Sequence, residues 1–172
     1  MNEIVKPSVF YHGSYSDFSE FRNKRGTLSN TDYTAPIFLS TDPDFAIEYG
    51  KFKGGILYTV KISPSAKLFD FRTLPTGYDL LIFNDSGKRN DTNKDYELGN
   101  KVYDAFESDD GDERQYSGIL SGDFDVMEQV DFYEFLKLNK FDGAYVKETG
   151  TLNVYVFDPK LLTIIKKEPL SK

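Results

Sequence analysis

The sequence predicts an α+β domain built on two twisted sheets or a split barrel. Three observations carry this. Short β-branched and aromatic runs recur along the chain, each closed by a turn-forming residue. Few segments have helical spacing. No internal repeat or linker divides the 172 residues, a length that suits a single domain, 1–172, with a sizeable core.

Residues 8–12 read as a first strand, ended by Gly13-Ser14. Phe18 and Phe21 are spaced to dock two rings from one helical turn, capped by Ser16 or Asp17. Residues 22–35 are polar and turn-rich and read as a mobile loop. Its Arg22, Lys24 and Arg25 are the nearest approach to a basic cluster, with solvation as the default. Residues 36–40 form a second strand. Thr41 or Asp42 caps a short helix, Pro43 suits its first position, Asp44 complements its dipole, and Gly50 stops it. Phe45 and Tyr49 share one face of that helix. After the break at Gly54-Gly55, residues 56–62 are the clearest strand, and residues 68–71 offer another.

Residues 78–83 are a mixed apolar run. Residues 84–97 and 107–117 read as loops or insertions, separated by a helix over about 95–107 carrying Leu98, Val102 and Phe106. The acidic run 107–113 has the wrong spacing for a calcium loop and reads as solvated. Residues 126–140 are the strongest helix, with Val130, Tyr133, Phe135, Leu136 and Leu138 on a broad apolar side and Asp123 or Asp125 as cap. A turn at 141–143, strands over 144–147 and 153–157, and an edge strand over 161–165 complete the chain.

Composition excludes several classes of function. Aromatics at 16% mark a globular chain rather than a disordered one. The absence of cysteine rules out disulfides, thiolate zinc sites and cysteine nucleophiles, and is compatible with a reducing cytoplasm. With one histidine, no metal site is expected. A net charge of −7 disfavours nucleic-acid binding and suits a basic protein partner. No run approaches membrane-spanning length and no apolar leader opens the chain, so the expectation is a soluble, cytoplasmic protein.

His12, the sole histidine, sits between an aromatic strand and a glycine. Taken alone it reads as a satisfied polar residue before an ordinary turn. Two later blocks change its weight. They are residues 37–41 with Ala46 and Tyr49, and Phe141-Asp142-Gly143-Ala144 followed by residues 153–159. In this order the three blocks resemble the ADP-ribosyltransferase fold, in its diphtheria-toxin and poly-ADP-ribose-polymerase-like branch. The style is that of small phage and bacterial members, including phage anti-CRISPR ADP-ribosyltransferases. Phe38 and Tyr49, eleven residues apart, match the spacing of two aromatics in that pattern. The resemblance leaves residues 70–125 largely uncovered, as a candidate insertion that recognises a partner.

The resemblance implies a split β-sandwich of short twisted strands with flanking helices, and NAD⁺ as substrate. His12 would hydrogen-bond a ribose hydroxyl, and the Gly13 backbone would pair with the nicotinamide carboxamide. Tyr49, with Phe38, would stack on the nicotinamide ring, and Ser40 would support the pocket wall. A carboxylate would stabilise the oxocarbenium-like transition state and orient the acceptor or serve as its base.

The acid is where the sequence departs from the pattern. Asn153 stands where the family's glutamate begins the late strand. Either the acid has moved to Glu148, on the turn after strand 144–147, or the protein is an inactive relative. Glu128 and Asp142 are weaker substitutes, and Asp142 suits a turn-capping role. Asn153 would bind the ribose or merely begin a strand. Three functions follow: a mono-ADP-ribosyltransferase acting on a macromolecule, most naturally a host or defence protein; an NAD⁺ glycohydrolase; and a non-catalytic protein that docks its acidic surface on a basic partner.

Overall fold

The computed structural model of the chain describes residues 6–28, 31–51, 54–75, 94–107 and 113–171. The apolar run 78–83, most of the loop expected over 84–97, and residues 108–112 of the acidic run lie outside them.

Seven strands form the main sheet. They are β1 (Phe10–Ser14), β4 (Ile37–Ser40), β5 (Ile56–Ile62), β6 (Leu68–Phe69), β7 (Gly143–Glu148), β8 (Thr151–Val156) and β9 (Leu162–Pro169), in the spatial order β6-β7-β8-β4-β1-β5-β9. A separate ribbon pairs β2 (Lys24–Leu28) with β3 (Thr31–Ala35). The helices are α1 (Pro43–Gly50), α2 (Lys94–Phe106), α3 (Glu113–Ser121), α4 (Phe124–Met127) and α5 (Val130–Leu138). The α+β class is as the sequence predicts.

The split has a specific location. β1 pairs with β5 along its whole length, from Phe10↔Val60 to Ser14↔Ile56. β4 pairs with β8 along its whole length, from Ile37↔Val156 to Ser40↔Asn153. Between them, β1 and β4 share only Tyr11↔Ser40. The sheet is therefore two well-laddered halves joined at a single pair, beyond which the strands part.

One aromatic-rich core holds both halves. Phe10, Tyr58 and Val60 come from the β1 half, and Leu39, Val154 and Tyr155 from the other. The helices add Val102, Phe106, Ile119, Phe132 and Leu136. Edge-to-face rings link Phe69 to Phe132 at 5.3 Å and to Phe141 at 5.6 Å, the geometry that ring quadrupoles favour. Full burial of each large side chain contributes about 1.5–3 kcal/mol. Part of segment 70–125 thus supplies core: Val102 and Ile119 are completely buried.

Several expectations need correction. Residues 24–28 and 31–35 are not a loop but the β2–β3 ribbon. Thr27, Thr31, Thr34 and Tyr33 have strand propensity, but without an alternating apolar face the pattern gave no strand signal. Residues 15–21 form no helix, yet Phe18 and Phe21 do pack against the core. Their anchor is tertiary, because the Tyr58 hydroxyl donates to the Ser16 carbonyl at 2.8 Å and accepts the Phe18 amide at 2.9 Å. The acidic segment 107–117 is in part helical, since α3 starts at Glu113. The expected strand 68–71 is two residues long, and Phe71–Thr73 is a 3-10 turn.

The helix expected over 126–140 is two helices. Asp123 caps the first, accepting the Asp125 amide at 2.9 Å. The break has a cause: the Tyr155 hydroxyl donates to the Met127 carbonyl at 2.8 Å. A continuous helix would give that carbonyl to Asp131, four residues on. Leu138, expected on the apolar side, is 82% exposed.

Candidate active site

A cleft of about 880 Å³ opens where β1 and β4 part, in the upper range of small-molecule pockets. The described structure brings all seven expected site residues to its lining: His12, Gly13, Phe38, Ser40, Tyr49, Glu148 and Asn153.

His12 takes its place from the split itself. Beyond Tyr11↔Ser40 the ladder ends, and the His12 Nδ1–H donates instead to the Phe38 carbonyl at 2.8 Å. A carbonyl only accepts, so Nδ1 carries the proton and a neutral ring leaves Nε2 as an acceptor. Burial lowers the imidazole pKa, the Phe38 carbonyl opposes this, and the Lys24 charge adds to the lowering. The ring is therefore neutral at pH 7. Phe21 and Phe18 meet it edge-on at 5.2 and 6.1 Å.

Gly13 is required by packing rather than by the pocket. A Cβ there would lie 1.9 Å from the Ala46 carbonyl oxygen and 3.0 Å from the Gly50 amide. β1 and α1 meet backbone to backbone, so only glycine fits. α1 starts as expected, with Pro43 in its first turn and the Asp42 side chain accepting the Asp44 amide at 2.9 Å. Its last turn delivers Tyr49 to the cleft. Tyr49 is 54% exposed and Phe38 37% exposed. Two large rings face the opening instead of filling the core.

Glu148 is the last residue of β7, not part of the following turn. Val146 is in register with Asn153, and Glu148 lies two residues beyond Val146. Strand alternation therefore puts Glu148 and Asn153 on the same face. The Tyr49 hydroxyl donates to one Glu148 oxygen at 3.1 Å, and the Asn153 amide donates to the other at 3.2 Å. Burial, followed by the Glu148 charge, pushes the Tyr49 pKa up and keeps its proton in place. Asn153 does not begin its strand. It is the third residue of β8, buried, and its Oδ1 has no partner. Buried Ser40, opposite it, accepts the Asp42 amide at 3.0 Å and holds the start of α1 against the sheet.

Of the two weaker substitutes, Asp142 is absent from the cleft lining and accepts the Lys67 amide at 2.7 Å. Glu128 does line the cleft. Burial raises its pKa to about 8, with Glu148 and Asp125 adding to the shift. Its position depends on the break between α4 and α5, which no sequence signal marks. Phe18 and Phe21 also line the cleft, where sequence spacing indicated only core.

Comparison with known families decides the relationship. A family model described as "ADP-Ribosyltransferase in polyvalent proteins" matches residues 5–168. The chain belongs to this ADP-ribosyltransferase family. The match includes the segment 70–125 that motif resemblance leaves uncovered. Among solved structures, the chain is similar to a crystal structure of an anti-CRISPR protein, at 14% identity, with 94% of each chain covered and a TM-score of 0.35. Comparison with curated proteins finds no match. Among the described residues of this ADP-ribosyltransferase family member, no helix is long and apolar enough to cross a membrane.

Proposed function

We propose that the protein is an NAD⁺-dependent mono-ADP-ribosyltransferase that modifies a protein target. One observation carries the reading: a carboxylate held by two donors shares a cleft with an acceptor imidazole and two exposed rings. Family membership supports reading that arrangement as a site for ADP-ribosyl transfer.

His12 Nε2 accepts a ribose hydroxyl of NAD⁺. The Gly13 backbone pairs with the nicotinamide carboxamide, and the rings of Tyr49 and Phe38 hold the nicotinamide. Glu148 is the catalytic carboxylate. It stabilises the positive charge that develops on the ribose as the glycosidic bond breaks. Its two hydrogen bonds fix its direction before reaction, so little reorganisation is needed. Ser40 braces the wall, and Asn153 directs Glu148. The non-catalytic alternative rested on Asn153 standing in the acid's place. Glu148, within 3.2 Å of Asn153, supplies the missing charge and favours the catalytic reading.

The test uses labelled NAD⁺ with a cell lysate and wild-type protein, His12→Ala and Glu148→Gln. Wild type labels a protein band, and both variants lose the label. Free ADP-ribose without a labelled band indicates glycohydrolysis instead. Full labelling by Glu148→Gln contradicts the assignment of the acid.

A further inference from the structure

Glu128 stands apart from the residues that the proposed reaction uses. It follows α4, and its amide donates to the Phe124 and Val126 carbonyls. This fixes the backbone at the corner between α4 and α5. From there the side chain lines the same cleft as Glu148, Tyr49 and Asn153. Its Oε1 is enclosed and has no hydrogen-bond partner. An enclosed carboxyl oxygen without a partner is costly to ionise and ordinarily finds a donor. A donor on a molecule that enters the cleft would satisfy this oxygen.

We propose that Glu128 is the general base that takes the proton from the incoming acceptor, a role separate from the charge stabilisation by Glu148. The proposal rests on the transferase reading. The acceptor's nucleophilic atom, which carries a hydrogen, bonds to C1′ of the ADP-ribosyl group. The bond from C1′ to the nicotinamide nitrogen breaks, and its electron pair leaves with neutral nicotinamide. The acceptor's proton passes to the Glu128 carboxylate, so charge and atoms balance.

The surroundings separate the two carboxyls. Glu148 on β7 is held by two donors, whereas Glu128 has an unpaired oxygen. Groups of the packed elements act on Glu128 or feel its charge: Glu148 of β7, Asp125 of α4, Tyr49 of α1 and Tyr155 of β8. A carboxyl already held by two donors suits a stabiliser, and one with an unpaired oxygen suits a proton carrier. A group that titrates near pH 8 is a strong base once ionised, close to the working pH at which general bases are most effective.

The experiment follows nicotinamide release from NAD⁺, with lysate proteins as acceptors, from pH 6 to 9.5. For wild type, kcat/KM rises with pH and levels off above about 8. Glu128→Gln keeps the shape of the side chain and removes a buried charge. It lowers kcat about 100-fold and abolishes the rise, with KM for NAD⁺ within about twofold. Glu128→Ala with added formate recovers about tenfold of the lost rate, as a cavity that accepts a small base does. A wild-type pH rise in Glu128→Gln, or no recovery with formate, overturns the base role while leaving Glu148 catalysis intact. No nicotinamide release by wild type at any pH overturns the transferase reading and the base role together.

Discussion

Asn153 shows how much depends on a single atom exchange. An amide nitrogen can donate to Glu148, and it does so at 3.2 Å. Asn153→Asp puts an acid at this position, and so places a second carboxyl against Glu148. Like charges at that distance cannot both ionise freely. The substitution therefore lowers kcat by about tenfold or more instead of raising activity, as a steady-state comparison of nicotinamide release will show. The sequence singles out both Asn153 and Glu148 as site candidates, Glu148 from Asp142-Gly143 and the four residues that follow, and both line the cleft. The bonds from Tyr49 and Asn153 were not legible, because they depend on strand register and on the angle of α1 to the sheet. The sequence offers Glu128 only as a weaker substitute for the acid. It sits at the corner between α4 and α5, next to Met127, whose carbonyl accepts the Tyr155 hydroxyl from across the fold.

At the scale of elements, local chemistry was the most readable. The Asp42 cap, Pro43 and the stop at Gly50 define α1 in the sequence and in the structure. The β2–β3 ribbon escaped notice because its residues lack the alternation that marks a strand packed on a core. The segment with Phe18 and Phe21 has helical spacing but obeys Tyr58, forty residues away in Phe18's case. Gly13 tests the contact between elements. A methyl group there meets α1 backbone at 1.9 Å, which neither β1 nor α1 can relieve by turning a side chain. Gly13→Ala costs about 3 kcal/mol or more by this overpacking. Urea denaturation should show a correspondingly lower midpoint with an unchanged m-value. An unchanged midpoint would mean that β1 and α1 do not meet as described.

For the whole molecule, the organising feature is the single pair Tyr11↔Ser40 that joins two complete ladders. The sheet can part there without leaving its core, because buried rings from both halves belong to one hydrophobic cluster. His12 lies beside the joining pair on one side, and Asn153 is opposite Ser40 on the other. The one weak seam thus gathers residues separated by more than 130 positions. The class of the fold and the order of these blocks were visible in the sequence. The seam was not, since it is a property of which strands pair, and pairing is decided by tertiary packing. On the transferase reading, Glu148 drives the chemistry of a cleft that holds NAD⁺ by other residues. Calorimetric NAD⁺ affinity and label transfer, measured side by side for wild type and Glu148→Gln, test it most directly. The expected result is affinities within about threefold of each other and transfer reduced at least about 100-fold in the variant. Undiminished transfer by Glu148→Gln, or no NAD⁺ binding by the wild-type protein, would contradict it.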